Sequence, residues 1–252
     1  MAFQDEQIIA VRPKKKVYRE GDTVIKVFNE DYSKASVLNE ALNQARVEET
    51  GLDIPRIREV FMVDGCWAIR SDFIEGKTMQ QLMDENPDKQ EEYLRQFVEL
   101  QMKIHQQRAP LLTKLKDKMH RKISDSKFEA TVRFELHTRL EGMPNHKKVC
   151  HGDFNPSNVI IRPDGTPFII DWAHATQGNA SADVARTYLY MMLSGDSVLA
   201  KEYLRLFCKM SDTALQYVQS WMPIVAASQS VKENNEEEFA LLSRWVNVVD
   251  YS

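Results

Sequence analysis

The sequence has no Cys-x-x-Cys pair and no histidine-rich tract, so it offers no zinc module. Its three cysteines, Cys66, Cys150 and Cys208, are odd in number and far apart. That predicts buried free thiols and a reducing, cytoplasmic setting. No apolar run approaches the ~20 residues needed to span a bilayer. The first residues, MAFQDEQIIAV, carry acids where a signal peptide would carry lysine or arginine, so they do not read as one. An excess of positive charge is missing too. The net charge of -4 argues against nucleic acid or a membrane surface as a partner. Lys14-Lys15-Lys16 is a local exception, and three lysines beside a strand read as a solvated sheet edge.

What is present is an ordinary soluble composition, 43% apolar and 28% charged, in a chain long enough for one large domain or two small lobes. The segment VYREGDTVIKVF places two apolar runs around Gly21-Asp22, a hairpin signal. SKASVLNEALNQARVEETG then shows helical spacing and closes on Gly51, and two further strands flank Asp64-Gly65. After Gly76 the character changes. Residues 78–107, much of 111–142 and everything beyond Asp183 follow helical periodicity. A strand-rich island, KKVCHGD and NVIIRPDGTPFIIDW, interrupts them, with a turn at Pro163-Asp164-Gly165. The pattern predicts an α+β fold in two lobes: a small antiparallel-sheet lobe with one helix over residues 1–75, and a larger, mainly helical lobe over 76–252. The lobes would meet near Phe73 to Gly76.

The island carries the chemistry. Strands Asn158–Ile161 and Phe168–Asp171 would hold Asn158 and Asp171 at adjacent hairpin ends, with Asp153 on the loop leading in. Two carboxylates and an amide oxygen are hard donors of the kind Mg²⁺ takes, with phosphates and water completing its shell. Asp153 as a mere turn cap is the plain alternative, but the pattern from His151 to Asp171 has fixed apolar flanks and is far more specific than a single Asp-Gly piece.

The spacing Asp-x4-Asn followed by Asp thirteen residues on matches the catalytic-loop and metal-binding residues of kinases. The wording HGDFNPSN…IIDW, with Gly rather than Arg after His, resembles the aminoglycoside phosphotransferase and choline kinase superfamily. The resemblance implies a protein-kinase-like bilobal fold and transfer of the γ-phosphate of ATP or GTP to a hydroxyl of a small molecule. It implies that Asp153 orients or deprotonates that hydroxyl, and that Asn158 and Asp171 hold Mg²⁺. It also implies that Lys26 pairs with Glu40 and reaches the α- and β-phosphates. Taken alone, Lys26 reads as an edge lysine with its head in solvent; Glu48 is a rival partner on the same helix. Asp72 and Ile74, in Asp72-Phe73-Ile74-Glu75-Gly76, look like the family's purine-binding hinge, where the contacts would be main-chain ones.

One departure stands out: residues 11–18, where kinases place a glycine-rich phosphate loop, contain no glycine, and the lysines there are the available substitutes. Asp183 matches a family aspartate that braces the catalytic loop, although a helix N-cap explains it nearly as well. His105 reads as packing and His174 as a local hydrogen-bonder. For the acceptor, Glu233, Glu236, Glu237, Glu238 and Asp250 could form an acidic pocket for a polycation or a solvated surface. Trp221, Trp245 and Tyr217 could form a choline cage or part of the core. A nucleotide-binding pseudokinase acting as a scaffold is the second class of function; it predicts loss of Lys26, Asp153, Asn158 or Asp171, and none is missing.

Overall fold

The computed structural model describes residues 7–231 and 236–246. In chain order the elements begin with β1 (Ile8–Arg12), β2 (Lys15–Glu20), β3 (Thr23–Phe28), α1 (Lys34–Glu48), β4 (Ile57–Val63) and β5 (Cys66–Asp72). Then come β6 (Lys77–Thr78), α2 (Met79–Glu85), α3 (Gln90–His105), α4 (Leu115–Asp125), α5 (Ala130–Gly142) and β7 (Lys148–Cys150). The island continues with β8 (Val159–Ile161), β9 (Pro167–Ile169) and β10 (Thr176–Gly178). It is followed by α6 (Ala180–Leu193), α7 (Ser197–Ser211), α8 (Leu215–Gln219), α9 (Met222–Gln229) and α10 (Glu236–Val246). The expected α+β class is observed, with antiparallel sheets early and helices predominating after Gly76.

The chain divides into two compact units: Met1–Pro87 with Pro156–His174, and Asp88–Asn155 with Ala175–Ser252. In the first, β1-β2-β3-β5-β4 form an antiparallel sheet. Gly21 has φ 59, the left-handed turn conformation that lets a two-residue loop join β2 to β3 without steric cost. α1 starts at Ser33, whose hydroxyl accepts from the Ser36 amide, and lays Val37 and Ala41 on Phe28 and Ile69 of the sheet. Tyr32, Ile57, Val60 and Trp67 close this core. Each fully buried aliphatic or aromatic side chain of this size contributes about 2 kcal/mol.

A second sheet of this unit, β6-β8-β9, carries the hairpin of the island. Gly76 approaches β8 so closely that a Cβ would lie 2.3 Å from the Ile161 carbonyl oxygen, and its φ of 153 is one only glycine takes freely. The hairpin is shorter than the sequence pattern suggests. Asn158 closes a 3-10 turn, Pro156–Asn158, and Asp171 lies two residues past β9 with φ 62. The two positions are nevertheless tied, because the Ile170 amide donates to the Asn158 carbonyl at 2.9 Å.

In the second unit α3 packs Phe97 flat on Phe154, with ring centroids 4.3 Å apart, and edge-on to Tyr203 of α7. β7 and β10 pair as a short antiparallel ribbon. Trp221, Ile224, Val225 and Leu140 are buried in this unit. The cysteines are free, as expected, but only Cys150 is buried; Cys66 and Cys208 are half-buried. Among the described residues no helix is long and apolar enough to cross a membrane.

Candidate active site

Two clusters of polar side chains hold the residues of the candidate site, one built by elements of each unit. In the first, the β2–β3 register sets the arrangement. Val17 pairs with Lys26 and Lys15 with Phe28, so Lys15, Val17, Lys26 and Phe28 share one sheet face. Lys26 forms an ion pair with the buried Glu40 of α1. Its Nζ also lies 3.5 Å from Asp171 Oδ1. Lys15 Nζ lies 3.7 Å from both Glu40 Oε1 and Asp171 Oδ2. Burial works against the charge on Lys26, but the carboxylates of Asp171 and Glu40 outweigh it and hold the ammonium above the ordinary lysine range. Burial, then repulsion from Lys26, pushes Lys15 the other way.

The rival glutamate is accounted for elsewhere. Glu48 Oε1 accepts from the Ile57 amide at 2.7 Å and so ties α1 to β4. Asp72 is committed to the sheet: its carboxylate accepts from Arg58 Nε at 2.6 Å and from the Arg56 amide at 3.1 Å, and its own amide donates to the Arg56 carbonyl. Ile74 lies in the following non-regular segment, half-buried, and makes no main-chain hydrogen bond to another described segment. Asn43 of α1 donates to the Ala173 carbonyl at 3.1 Å, and Trp172 donates its indole N–H to the Ile169 carbonyl, so Asp171 is anchored immediately downstream.

In the second unit the segment after β7 hangs on Asp183. Its carboxylate accepts from the His151 amide at 3.1 Å, the Gly152 amide at 2.7 Å and His105 Nε2 at 3.0 Å. Burial would raise the Asp183 carboxyl, but His105 and the amide donors overcome this and hold it below the usual carboxylate range. Asp183 is therefore not the helix cap; Asn179 is, its side chain accepting from the Ser181 amide. Gly152, with φ 78, turns the chain so that both amides reach one carboxylate. A further buried chain supports the loop: Tyr203 donates to Gln101, Gln101 to Thr187 at 3.3 Å, and Thr187 to the Phe154 carbonyl at 2.8 Å.

Asp153 projects from this braced turn and meets Arg186, whose Nη2 is 3.4 Å from Asp153 Oδ1. Arg186 also donates to Gln229 and, more distantly, to the Gly152 carbonyl. His105 is thus more than packing, and Arg186, to which the sequence motifs assign no part, is the partner of Asp153. Arg186 was detectable, because it stands three residues after Asp183 and so on the same helix face. His105 had no comparable local signal.

The acceptor residues are less coherent. Trp221 is 1% exposed and belongs to the core, Tyr217 Oη pairs with Asn179 at 2.6 Å, and Trp245 packs edge-on against Tyr188. Each is held by contacts of its own, and Trp221 borders a cavity together with Asn179. Glu236 and Glu237 are exposed at the start of α10, with Glu238 half-buried beside them; Glu233 and Asp250 lie outside the described residues.

Residues 14–219 match the family model described as APH, phosphotransferase enzyme family. A search of curated proteins finds no match. Solved structures do match over nearly the whole chain. Aminoglycoside phosphotransferase APH(4)-Ia, a thermostable mutant in ternary complex with ADP and hygromycin B, is 16% identical, with TM-score 0.68 over 95% of this chain and 90% of that one. Choline kinase LicA from Streptococcus pneumoniae is 16% identical, with TM-score 0.63 over 95% and 90%. Aminoglycoside-3'-phosphotransferase of type VIII is 16% identical, with TM-score 0.61 over 85% and 88%. At such identity the likeness establishes the fold, which is the kinase-like fold of these proteins.

Proposed function

The chain belongs to the phosphotransferase enzyme family, and from that premise we propose that it transfers the γ-phosphate of ATP or GTP to a hydroxyl group of a small molecule. The observation that carries this reading is the cluster of Lys26, Glu40 and Asp171 in the first unit. A lysine held charged against a buried glutamate is fixed in place as a donor to nucleotide phosphates, which a free surface lysine is not. Ile74 supplies main-chain groups for the edge of a base. Asp72 contributes by keeping that segment attached to β4 through Arg56 and Arg58.

The donor set fits a magnesium ion. Asp171 and Asn158 offer a carboxylate and an amide oxygen, and the Asp171 side chain is 31% exposed. Magnesium takes one or two protein carboxylates and leaves the rest of its shell to phosphate and water. When bound, the ion would neutralise charge on the phosphate oxygens.

Asp153 accepts the acceptor hydroxyl as a hydrogen bond and takes its proton while the bond to phosphorus forms and the bond to the β-phosphate oxygen breaks. Arg186 and the turn at Gly152 hold that carboxylate in one orientation, and alignment is the main demand of a loose transition state. Hygromycin B, bound in one related structure, and choline, after which another related kinase is named, head the acceptors to screen, with sugars beside them. Nucleotide consumption that depends on one hydroxyl compound and disappears in Asp153→Ala is the expected result. Nucleotide binding without transfer to any of them would instead support a scaffold.

A further inference from the structure

The turn between β1 and β2 stands where the family places its phosphate-covering loop, and it is poorly equipped to bind phosphate through its backbone. It contains no glycine, and Pro13 has no N–H. Its carbonyls are tied down from β3's end: the Asn29 amide donates to the Lys14 carbonyl at 3.0 Å, and the Asn29 side chain to the Pro13 carbonyl at 3.2 Å. What the turn does provide is a side chain. Of the three successive lysines, Lys14 and Lys16 are exposed, whereas Lys15 is turned onto the face of Lys26. Its Nζ sits over the Phe28 ring, 5.9 Å from the centroid, and its charge meets Glu40 and Asp171 at 3.7 Å.

The charge count of the cluster is informative. Glu40 and Asp171 carry two negative charges; Lys26 offsets one, and Lys15 offsets the other. Without Lys15 the cluster would be net negative and would repel a triphosphate until a divalent cation arrived. We propose that Lys15 is a second phosphate-binding lysine that makes this site electrically balanced, so that a nucleoside triphosphate docks without waiting for the metal ion. The inference rests on the nucleotide-binding reading given above. It adds a residue and an order of binding to that reading.

The test is equilibrium binding of the ATP and GTP analogues AMP-PNP and GMP-PNP to the full chain, in EDTA and again in excess Mg²⁺. In EDTA, Lys15→Gln is expected to weaken binding of the preferred analogue roughly tenfold, the range of one lost charge-assisted hydrogen bond. In Mg²⁺ the loss is smaller, because the ion supplies the missing positive charge. Lys15→Arg retains most of the affinity, Lys16→Gln all of it, and unchanged melting temperatures show that the fold is kept. Equal affinity of wild type and Lys15→Gln in EDTA overturns the inference and leaves the nucleotide site standing. Equal losses in Lys15→Gln and Lys15→Arg would also overturn it, since they would show that a positive charge at this position is not what receives the phosphates. If wild type binds neither analogue under either condition, the nucleotide reading itself fails.

Discussion

The two charged clusters are built in opposite ways. In the first unit, Lys15, Lys26 and Asp171 keep 20%, 19% and 31% of their side-chain surface open to solvent while meeting at 3.5–3.7 Å. In the second, His105 and Asp183 retain 4% and 1%, and the donors around Asp183 are spent on it. An ion cluster open on one side can exchange partners when an anion arrives. A sealed carboxylate has nothing left to offer a ligand, and its effect lies in the main chain it holds. Asp153 departs from its sealed neighbourhood, with 27% of its side chain open and Arg186 beside it. Substitutions in the open cluster should therefore change binding and turnover with the fold intact, and those in the sealed one should change stability first.

The largest effect is expected at Asp171. Asp171→Ala should lower turnover by at least about 10³-fold, because it removes the carboxylate assigned to the metal ion. The same change leaves Lys15 and Lys26 facing only Glu40, so metal-free binding of AMP-PNP should be as tight as in wild type or tighter. Turnover near the wild-type rate would sink the metal assignment. Asp153→Asn should follow, with a loss of about 10²–10⁴-fold in kcat at unchanged nucleotide affinity and unchanged melting temperature. A matching fall in nucleotide affinity would remove the distinction between the two clusters.

Asp183→Asn should act on folding. It leaves His105 and two buried amides with a poorer acceptor, a loss of about 3 kcal/mol in denaturant unfolding. The pH dependence has a definite sign. The folded-state carboxyl is held below its ordinary value, so its contribution is complete above the unfolded value near ~3.9 and is lost as pH falls through the folded one. Wild type should lose stability across that acid range, and Asp183→Asn should lose less of it there. Parallel acid limbs for the two proteins would falsify this role.

Much of the arrangement was legible before any coordinates. Gly21-Asp22, Asp64-Gly65 and Pro163-Asp164-Gly165 each mark an observed hairpin, and Gly51 follows the end of α1. Lys26 and Glu40 are paired as the resemblance implied. Lys14 and Lys16 are the solvated edge expected of them, and Lys15 is not: a two-residue turn at Gly21-Asp22 makes paired positions sum to 43, which puts Lys15 on the face of Lys26. The pairing of β10 with β7 and the junction of His105 with Asp183 were not legible. Both join segments separated widely along the chain, and no local period or turn residue reports such a meeting.

The smallest effect separates structure from binding within the first unit. Thr78 ends β6 opposite Ile160 of the hairpin and also caps α2. Its hydroxyl accepts from the Gln81 amide at 3.1 Å, while the Gln81 side chain accepts from the Thr78 amide at 2.8 Å, a reciprocal box. Thr78→Ala removes one of these bonds and keeps the main chain that pairs with β8. The expected cost is about 1 kcal/mol, a fall of about 2–4 °C in melting temperature. AMP-PNP affinity should not change, because no charge of the open cluster is touched. If affinity falls while the melting temperature holds, the edge of the hairpin, and not the ion cluster alone, governs how phosphates are received.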